Sequence, residues 1–490
     1  MKQLVGLLLT AICCAFPCMQ GNAQPPLFEN YYELGATDEG YDICEAPEGG
    51  FVIVAERRIS LGTSNLVVMK IDSSGQTNWI KSYGNSGYHK PVTIAPCIGG
   101  GYIISGQYET SDIRYFPWVL RIDSVGDTLW TKNILTPWYP TTSGGLGNGI
   151  CKSVFEAYDG TFYALSQVAD TNISTCFLAK LNANGDTIWT RQYDWGNGPG
   201  LYGMAPTLDS SIAIYGQKID SMFPYVAHVL LMKLDLDGDT SWTKVYRIVN
   251  AVTSPSSVVQ TADSGFFLSG GVIYNSGTGV DYFVVRTDKY GDTLWTKTYG
   301  GVGCNDGGPG IQCSDGSYLL SGLTLCQGAG MQDLYLVKLD TSGNFVWDRT
   351  YGGASDDRAN SILQTNDGGF IASGISCSFG FGNCDVYVVK TDSNGIAPTG
   401  FLPIAPPQNH FVIYPNPTNG IVFIDYSIPQ NENGILEVYS ITGALLFTEM
   451  LAAGSERMQF DWCAMEPGMY LVRMITNDNA TDVERIIITE

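Results

Sequence analysis

The chain has 490 residues, of which 44% are apolar, 12% aromatic and only 15% charged, and it contains 58 glycines. This composition favours a β-rich protein with many turns over a helical or disordered chain, which would carry more Glu, Lys and Ala. The formal net charge is −22 at pH 7. Because phosphate backbones and anionic lipid surfaces repel such a chain, no nucleic-acid partner is expected.

The N-terminal stretch MKQLVGLLLTAICCAFPCMQGNAQ has the composition of an export signal. Lys2 provides a positive start, residues 4–16 are apolar, and Gly21-Asn22-Ala23 supply small residues for a signal peptidase. We therefore assign residues 1–23 to a signal peptide cleaved after Ala23. No later stretch approaches the roughly 18 consecutive apolar residues of a transmembrane helix, so an exported, soluble protein without a transmembrane segment is predicted.

A hairpin of the pattern D-x-x-G-x-T-x-W recurs along the chain, at intervals of 51 to 59 residues. Such a period indicates a solenoid, a propeller or an array. The tryptophans of the pattern are Trp79, Trp130, Trp189, Trp242, Trp295 and Trp347. The turn glycine occurs seven times, at Gly75, Gly126, Gly185, Gly238, Gly291, Gly343 and Gly395.

Each repeat consists of four short predicted strands, as in GYDICEA, EGGFVIVA and LVVMKID followed by the strand that carries Trp79. Four-stranded units at this period, with no room for a helix, predict the blades of a β-propeller. The seventh repeat lacks its Trp strand, and the N-terminal segment LFENYYEL matches the missing strand. We therefore predict an all-β fold with a seven-bladed propeller closed by the N-terminal strand; rings of six or eight blades are the alternatives.

The recurrence of Asp, Gly and Trp indicates a structural role. The Asp side chain can accept backbone N–H groups inside the turn, Gly tolerates a positive φ, and Trp can pack between neighbouring blades. These blades resemble those of quinoprotein-like propellers and, more closely, the repeat domains of secreted Bacteroidetes proteins, over roughly residues 28–396. The resemblance implies an architecture but no activity, because the metal and quinone ligands of quinoprotein dehydrogenases have no counterparts in this sequence.

A Pro-rich linker at residues 396–410 precedes a C-terminal segment, residues 411–490, whose alternating strands predict a small Ig-like β-sandwich. Its motifs YPNPTNG, VYSITGALL and EPGMYLVRM and a terminal strand with Arg485 resemble the type A C-terminal sorting domain of the Bacteroidetes type IX secretion system. The resemblance implies passage through the periplasm, the type IX machinery as a partner, and release or retention at the outer cell surface. The positions that match the sorting motifs are Pro415, Asn416, Pro417, Gly420, Gly468 and Tyr470.

Signals for chemistry are sparse. The chain has three histidines and neither a G-x-S-x-G nor an H-E-x-x-H motif, so no catalytic residue and no cofactor are assigned. Asp235, Asp237 and Asp239 form a weak calcium candidate, the alternative being an ordinary solvated turn. Cys377 and Cys384 flank a short loop and are either a disulfide or two independent thiols.

Two functions remain open for residues 24–395, the predicted propeller. The first is a non-enzymatic binding or scaffold role for an unknown glycan or protein ligand, since propellers carry variable loops on a rigid ring. The second is an extracellular polysaccharide hydrolase or lyase whose carboxylates converge at the central channel.

Overall fold

The computed structural model describes most of the chain, in these ranges: 26–35, 37–60, 63–84, 88–109, 114–134, 148–169, 174–193, 200–222, 225–248, 251–274, 280–300, 305–379, 383–398, 411–414, 418, 420–428, 433–441, 443–462, 464–476 and 479–488. All regular elements in these ranges are β-strands, which confirms the all-β prediction.

The strands are named in chain order. Those of the N-terminal part are β1 (Phe28–Tyr32), β2 (Thr37–Glu45), β3 (Phe51–Ser60), β4 (Thr63–Ile71), β5 (Thr77–Tyr83), β6 (His89–Pro96), β7 (Tyr102–Glu109), β8 (Tyr115–Ile122), β9 (Thr128–Asn133), β10 (Asn148–Glu156), β11 (Phe162–Ala169), β12 (Ser174–Leu181), β13 (Thr187–Tyr193), β14 (Gly200–Pro206), β15 (Ile212–Met222), β16 (Tyr225–Leu234), β17 (Thr240–Tyr246), β18 (Ala251–Gln260), β19 (Phe266–Tyr274), β20 (Val280–Thr287), β21 (Thr293–Tyr299), β22 (Asn305–Gln312), β23 (Tyr318–Thr324), β24 (Asp333–Leu339), β25 (Phe345–Tyr351), β26 (Asp357–Gln364), β27 (Phe370–Ser376) and β28 (Asp385–Thr391). Those of the C-terminal part are β29 (Phe411–Tyr414), β30 (Ile421–Ile428), β31 (Gly434–Ser440), β32 (Leu445–Leu451), β33 (Gly454–Asp461), β34 (Gly468–Thr476) and β35 (Asn479–Ile488).

The N-terminal strands form seven antiparallel sheets of four strands. Sheets 1 to 6 are β2–β5, β6–β9, β10–β13, β14–β17, β18–β21 and β22–β25, and one parallel bridge between Tyr115 and Asn148 joins sheets 2 and 3. Sheet 7 is β26–β28 with β1 as its fourth strand, paired antiparallel to β28 from Phe28 opposite Lys390 to Tyr32 opposite Val386. The repeated quartets are consistent with a propeller.

The seven Asp-x-x-Gly turns share one hydrogen-bonding pattern, as the sequence predicted. In the first, Asp72 Oδ1 accepts the backbone N–H groups of Ser74 at 2.8 Å and Gln76 at 2.9 Å. The same two bonds recur at Asp123, Asn182, Asp235, Asp288, Asp340 and Asp392. Each turn glycine has a φ between 70° and 86°, a conformation that side chains with a Cβ rarely adopt.

A tyrosine on the fourth strand of one sheet reaches the turn of the next. Its hydroxyl donates to the carbonyl oxygen of the turn glycine at 2.5 to 2.9 Å, in the pairs Tyr32–Gly75, Tyr83–Gly126, Tyr193–Gly238, Tyr246–Gly291, Tyr299–Gly343 and Tyr351–Gly395. Between sheets 2 and 3 the position is Ile134, and there Trp130 Nε1 donates to the Ala183 carbonyl at 3.0 Å. We name the hydrogen bond from the fourth-strand tyrosine to the turn glycine of the next sheet the tyrosine junction.

The repeat tryptophan covers the same turn glycine. A methyl group added to the turn glycine would lie 2.7 to 3.1 Å from an aromatic ring of the preceding sheet. This ring belongs to the repeat tryptophan at six junctions and to Phe28 at Gly75. The predicted packing of the repeat tryptophans between neighbouring units is therefore confirmed, and glycine is needed both for its φ and for this close approach.

Buried apolar side chains lie between consecutive sheets. Seven clusters each combine residues of two neighbouring sheets, and one of them joins Phe28, Ile371 and Val388 of sheet 7 to Ile53 and Met69 of sheet 1. Because each sheet is covered on both faces, its second and third strands are almost continuously apolar.

The C-terminal strands form two sheets, in the orders β29-β30-β33 and β32-β31-β34-β35. One buried cluster unites them, with Val422 and Ile424 on the first sheet and Val438, Val472 and Met474 on the second. In the N-terminal part, Cys377 and Cys384 form a disulfide, one of the two alternatives that the sequence left open.

Candidate functional site

The first strands of the seven sheets contact one another in sequence. Each first strand contacts those of both neighbouring sheets, including β26 with β2. Each first strand also has a β-bulge, a shift in register, at one equivalent place. Bulges change the direction of a side chain and often lie next to active sites. The bulged residues are half-buried: Tyr41, Val92, Lys152, Tyr202, Ser256, Gly308 with Pro309, and Asn360.

Charged side chains from several sheets lie at and just before these bulges, with Glu39 in the middle. Glu39 is 7% exposed and accepts hydrogen bonds from Arg358 Nη2 at 2.7 Å and Asn360 Nδ2 at 3.0 Å, both on sheet 7. The Tyr41 hydroxyl lies 3.2 Å from Glu39 Oε2 and 3.0 Å from Glu56 Oε2. We call the following residues the inner-strand cluster: Glu39, Tyr41, Lys90, Lys152, Asp306, Arg358 and Asn360.

Electrostatics fix the charge state of Glu39. Burial tends to raise the pKa of this carboxyl, but the hydrogen bond and charge of Arg358, helped by Asn360 and Lys90, outweigh it and hold the pKa below its usual range. Burial raises the pKa of Asp306, and the charge of Arg358 opposes that rise. Glu39 is therefore a carboxylate at neutral pH and is suited to binding a donor rather than to donating a proton.

Two lysines continue the inner-strand cluster on the other side of Glu39. The Lys90 ammonium lies 4.8 Å from the centre of the Tyr41 ring, a cation–π contact. Lys152 is half-buried at the bulge of sheet 3, and its pKa is lowered by burial and by the charge of Lys90. From sheet 6 through sheets 7, 1 and 2 to sheet 3, the charged residues of the cluster are thus an anion, a cation, an anion and two cations.

One residue further along the first strands, the side chains link neighbouring sheets. Asp42 accepts hydrogen bonds from Ser361 Oγ at 2.6 Å, on sheet 7, and from the Ile94 backbone N–H at 2.9 Å, on sheet 2. Desolvation raises the pKa of Asp42 to about 6, against these hydrogen bonds. At most of the equivalent positions the residue is Ser or Thr, and in sheets 4 and 6 it is glycine; Ser257 Oγ, for example, lies 2.9 Å from Ser269 Oγ and accepts the Gly310 N–H at 2.9 Å. This layer has a structural role.

The calcium candidate Asp235, Asp237 and Asp239 lies in the turn of sheet 4. Asp235 Oδ1 accepts the two backbone N–H groups found in every repeat, and Asp239 pairs with Arg191 on sheet 3. Among the described residues, no three His, Cys, Asp or Glu side chains are grouped so as to hold a metal ion. Calcium binding in this turn stays a prediction.

The sorting-motif residues that the structure describes lie in turns and strands. Gly420 is buried with a φ of 125°, and its carbonyl accepts the Trp462 N–H at 2.6 Å. Gly468 begins β34, and the Tyr470 hydroxyl donates to the Glu466 carbonyl at 2.6 Å. Pro415, Asn416 and Pro417, and the cleavage site after Ala23, lie outside the described residues.

Sequence reasoning did not single out the inner-strand cluster. The sequence did contain a signal, because the turn Asp and Gly recur with a single exchange, Asn182, whereas the position two residues before each bulge varies: Glu39, Lys90, Ile150, Gly200, Ser254, Asp306 and Arg358. A position that varies inside a regular repeat is free of the packing role that the repeat imposes. Locating it, however, requires knowledge of the bulge.

Residues 412–489 match the family model of the secretion system C-terminal sorting domain. The tail of this chain therefore carries such a domain, as its motifs predicted, which indicates export to the cell surface or secretion. In the described part of the chain, no helix is long and apolar enough to cross a membrane. The chain is thus a repeat protein of four-stranded sheets with a sorting tail.

Structural neighbours resemble the chain only distantly. A protein of unknown function from Dyadobacter fermentans has 11% identity and a TM-score of 0.45, covering 75% of this chain and 98% of that one. Hydrazine synthase of Kuenenia stuttgartiensis has 11% identity and a TM-score of 0.47, covering 72% and 95%. An α-L-arabinanase of Penicillium chrysogenum has 8% identity and a TM-score of 0.39, covering 75% and 98%. No curated protein matches, and we transfer none of these activities.

We predict that Arg358→Gln destabilises the protein at pH 7 but little at pH 3. In the wild type the lowered pKa of Glu39 stabilises the fold above the unfolded-state pKa, and this contribution is lost as pH falls through the folded-state pKa. Because the Arg358 side chain is 42% exposed, screening reduces the expected loss to about 1 kcal/mol. Chemical denaturation between pH 3 and pH 8 measures it.

Lys289→Gln is the matched control, because it removes one exposed positive charge that has no carboxylate within 4 Å among the described residues. A loss of equal size in both variants at every pH would show that overall charge, and not the Glu39 contact, is responsible.

Proposed function

We propose that the chain is an exported β-propeller protein whose inner-strand cluster binds a glycan or protein ligand at the outer cell surface or after secretion, with no catalytic role. We assign residues 1–23 to a signal peptide, 24–395 to a closed seven-bladed propeller, 396–410 to a linker and 411–490 to an Ig-like sorting sandwich. The type IX machinery would be the partner of the sandwich.

Closure of the ring is supported by the N-terminal strand. β1 supplies to sheet 1 what five of the other six fourth strands supply to their neighbours, an aromatic ring over the turn glycine and a tyrosine bond to its carbonyl: Phe28 covers Gly75, and Tyr32 donates to the Gly75 carbonyl at 2.6 Å. The cluster between sheets 7 and 1 is as deeply buried as the other six. A circle leaves no sheet face without a partner, which an open stack would.

The binding role rests on one observation, the inner-strand cluster itself. Its charges come from the first strands of five consecutive sheets, from sheet 6 through sheet 7 and sheet 1 to sheet 3, and in a propeller these strands surround the central channel. Rigid strands hold each group in place, and such preorganisation favours binding. The cluster would therefore lie at one mouth of that channel.

The alternative, a polysaccharide hydrolase or lyase, has one observation in its favour. Glu39 and Glu56 approach the same Tyr41 hydroxyl, so two carboxylates are near one another. A glycosidase needs one carboxylic acid with a raised pKa. Two observations count against this pair. The pKa of Glu39 is lowered, and Glu56 is 0% exposed and so has no contact with water.

We predict that Tyr32→Phe destabilises the protein about as much as Tyr246→Phe, each by about 1 to 2 kcal/mol, because each removes the hydroxyl that donates to a buried glycine carbonyl; at Gly75 only the long 3.5 Å contact of Asn30 Nδ2 then remains. Denaturant unfolding at neutral pH measures both. Tyr31→Phe, on the other face of β1, is the control and should cost little. An unfolding free energy unchanged by Tyr32→Phe, beside a clear loss for Tyr246→Phe, would refute closure by β1.

We predict that deletion of residues 411–490 stops the chain in the periplasm of a host with the type IX system, because the sorting domain is then absent. Cell fractionation and immunoblotting of the remaining chain measure its location. The full-length chain in a host without the translocon is the control and should stop at the same place. Surface delivery of the truncated chain would contradict the sorting role.

The binding role is tested with the mature full-length chain on arrays of glycans and envelope proteins. We predict specific binding that Tyr202→Ala weakens at least about tenfold, since Tyr202 is the half-buried bulge residue beside the inner-strand cluster. Tyr290→Ala, an exposed tyrosine in the turn of sheet 5, is the control. Silence on both arrays, or equal effects of the two variants, would argue against the proposal.

A further inference from the structure

The cations of this chain are mostly committed to carboxylates. Acidic residues outnumber basic ones by 48 to 26, and most described lysines have a carboxylate oxygen within 4.0 Å. These lysines are Lys70, Lys81, Lys132, Lys180, Lys218, Lys233, Lys244, Lys338 and Lys390. Their pairing follows from the repeat, since most occupy the same few positions in each sheet.

Four described lysines are outside this pattern. Lys297 donates to Asn344 and to the Ser342 carbonyl, and Lys289 is exposed beside Tyr290. The other two, Lys90 and Lys152, belong to the inner-strand cluster, where Lys90 contacts the Tyr41 ring and Lys152 has no hydrogen bond or ion pair within the described part of the chain. Two half-buried, mutually repelling lysines are thus adjacent in a strongly acidic protein.

Such an arrangement costs stability unless something else compensates it. Burial and the charge of Lys90 both disfavour the charged form of Lys152; only the nearby Cys176 acts in the opposite direction, and no carboxylate of the described chain does. Side chains that lower the stability of the free protein are typical of binding sites, where the ligand supplies the missing interaction. The missing interaction here is a negative charge.

We propose that Lys90 and Lys152 bind the carboxylate of an acidic sugar, a uronic acid residue of a glycan. This inference rests on the proposed binding role of the inner-strand cluster and names its ligand class.

Two features select this class among anions. Glu39 and the net charge of −22 oppose a densely charged polyphosphate or nucleic acid, whereas one carboxylate per sugar ring is tolerated. Tyr41 and Tyr202, at the bulges on either side of the lysine pair, present aromatic rings of the kind that line ligand sites, while their hydroxyls bond Glu39, Glu56 and Gln217.

The test titrates the mature full-length protein with trigalacturonic acid, and with neutral galactotriose for comparison, by isothermal titration calorimetry at pH 7. We expect the acid to bind at least tenfold more tightly than the neutral trisaccharide. Lys152→Gln and Lys90→Gln should each weaken binding of the acid about tenfold or more, while Lys289→Gln leaves it unchanged. Binding should also decline as pH rises through the lowered pKa of Lys152, because the ammonium is then lost.

Stability provides a second readout that a structural lysine would not share. Lys152→Gln removes an unpaired, half-buried charge, so the free energy of unfolding should stay the same or rise while acid binding is lost. A clear loss of stability would show that Lys152 supports the fold, and would overturn the inference.

The remaining outcomes are equally decisive. Equal affinity for the acid and the neutral sugar, or inorganic phosphate competing as well as the uronate does, would overturn the proposed ligand class. No binding of the acid would also overturn it, yet array binding that Tyr202→Ala weakens would leave the proposed binding role intact. Failure of the two proposals can therefore be told apart.

Discussion

The structure depends on one constraint: every four-stranded sheet has two apolar faces, and each face must be covered by another sheet. The clusters between sheets meet this need through side chains of the second and third strands, which are almost fully buried. The tyrosine junction then fixes how far one sheet is displaced against the next, because a hydroxyl on the fourth strand has to meet a single carbonyl in the neighbouring turn. The turn can offer that carbonyl only with a positive-φ glycine under an aromatic ring. Geometry that recurs at each junction accumulates into a curved assembly.

Much of this architecture could be predicted from the sequence. The Asp turn, the positive-φ glycine and the packed tryptophan follow from residue chemistry alone, and each is found as predicted. The tyrosine junction was visible too, as a Tyr four residues after each Trp except at Ile134, but its partner lies about 45 residues away. A motif predicts its own strand well and says little about which carbonyl on another sheet it will meet. The ion pairs that accompany the junction, such as Lys81 with Asp127, were missed for the same reason.

The inner-strand cluster could not be predicted for a different reason. A bulge shifts the alternation of a strand by one residue, so the side chain facing inward cannot be assigned from period-2 patterning. Pro91 and Pro255 lie just before two of the bulges and Gly40 and Gly307 just before two others, but neither residue type marks all seven. The Asp42 layer shows the difference between the two kinds of position: small residues, mostly Ser or Thr, recur there and several of them join sheets, whereas the residues before the bulge differ from repeat to repeat.

This division explains how a repetitive protein can hold one distinctive site. The repeat constrains the turn residues, the tyrosine junctions and the carboxylate partners of most lysines, because a substitution at any of them would disturb an interface between two sheets. Positions before the bulges face no such interface, so their charges are free to differ, as Glu39, Lys90 and Arg358 do. Adjacent like charges such as Lys90 and Lys152 persist because the strands that bear them are anchored elsewhere, by apolar clusters far larger in free energy than one repulsion. A rigid framework of packed sheets thus tolerates an electrostatic conflict on its first strands that a flexible loop would relieve by moving.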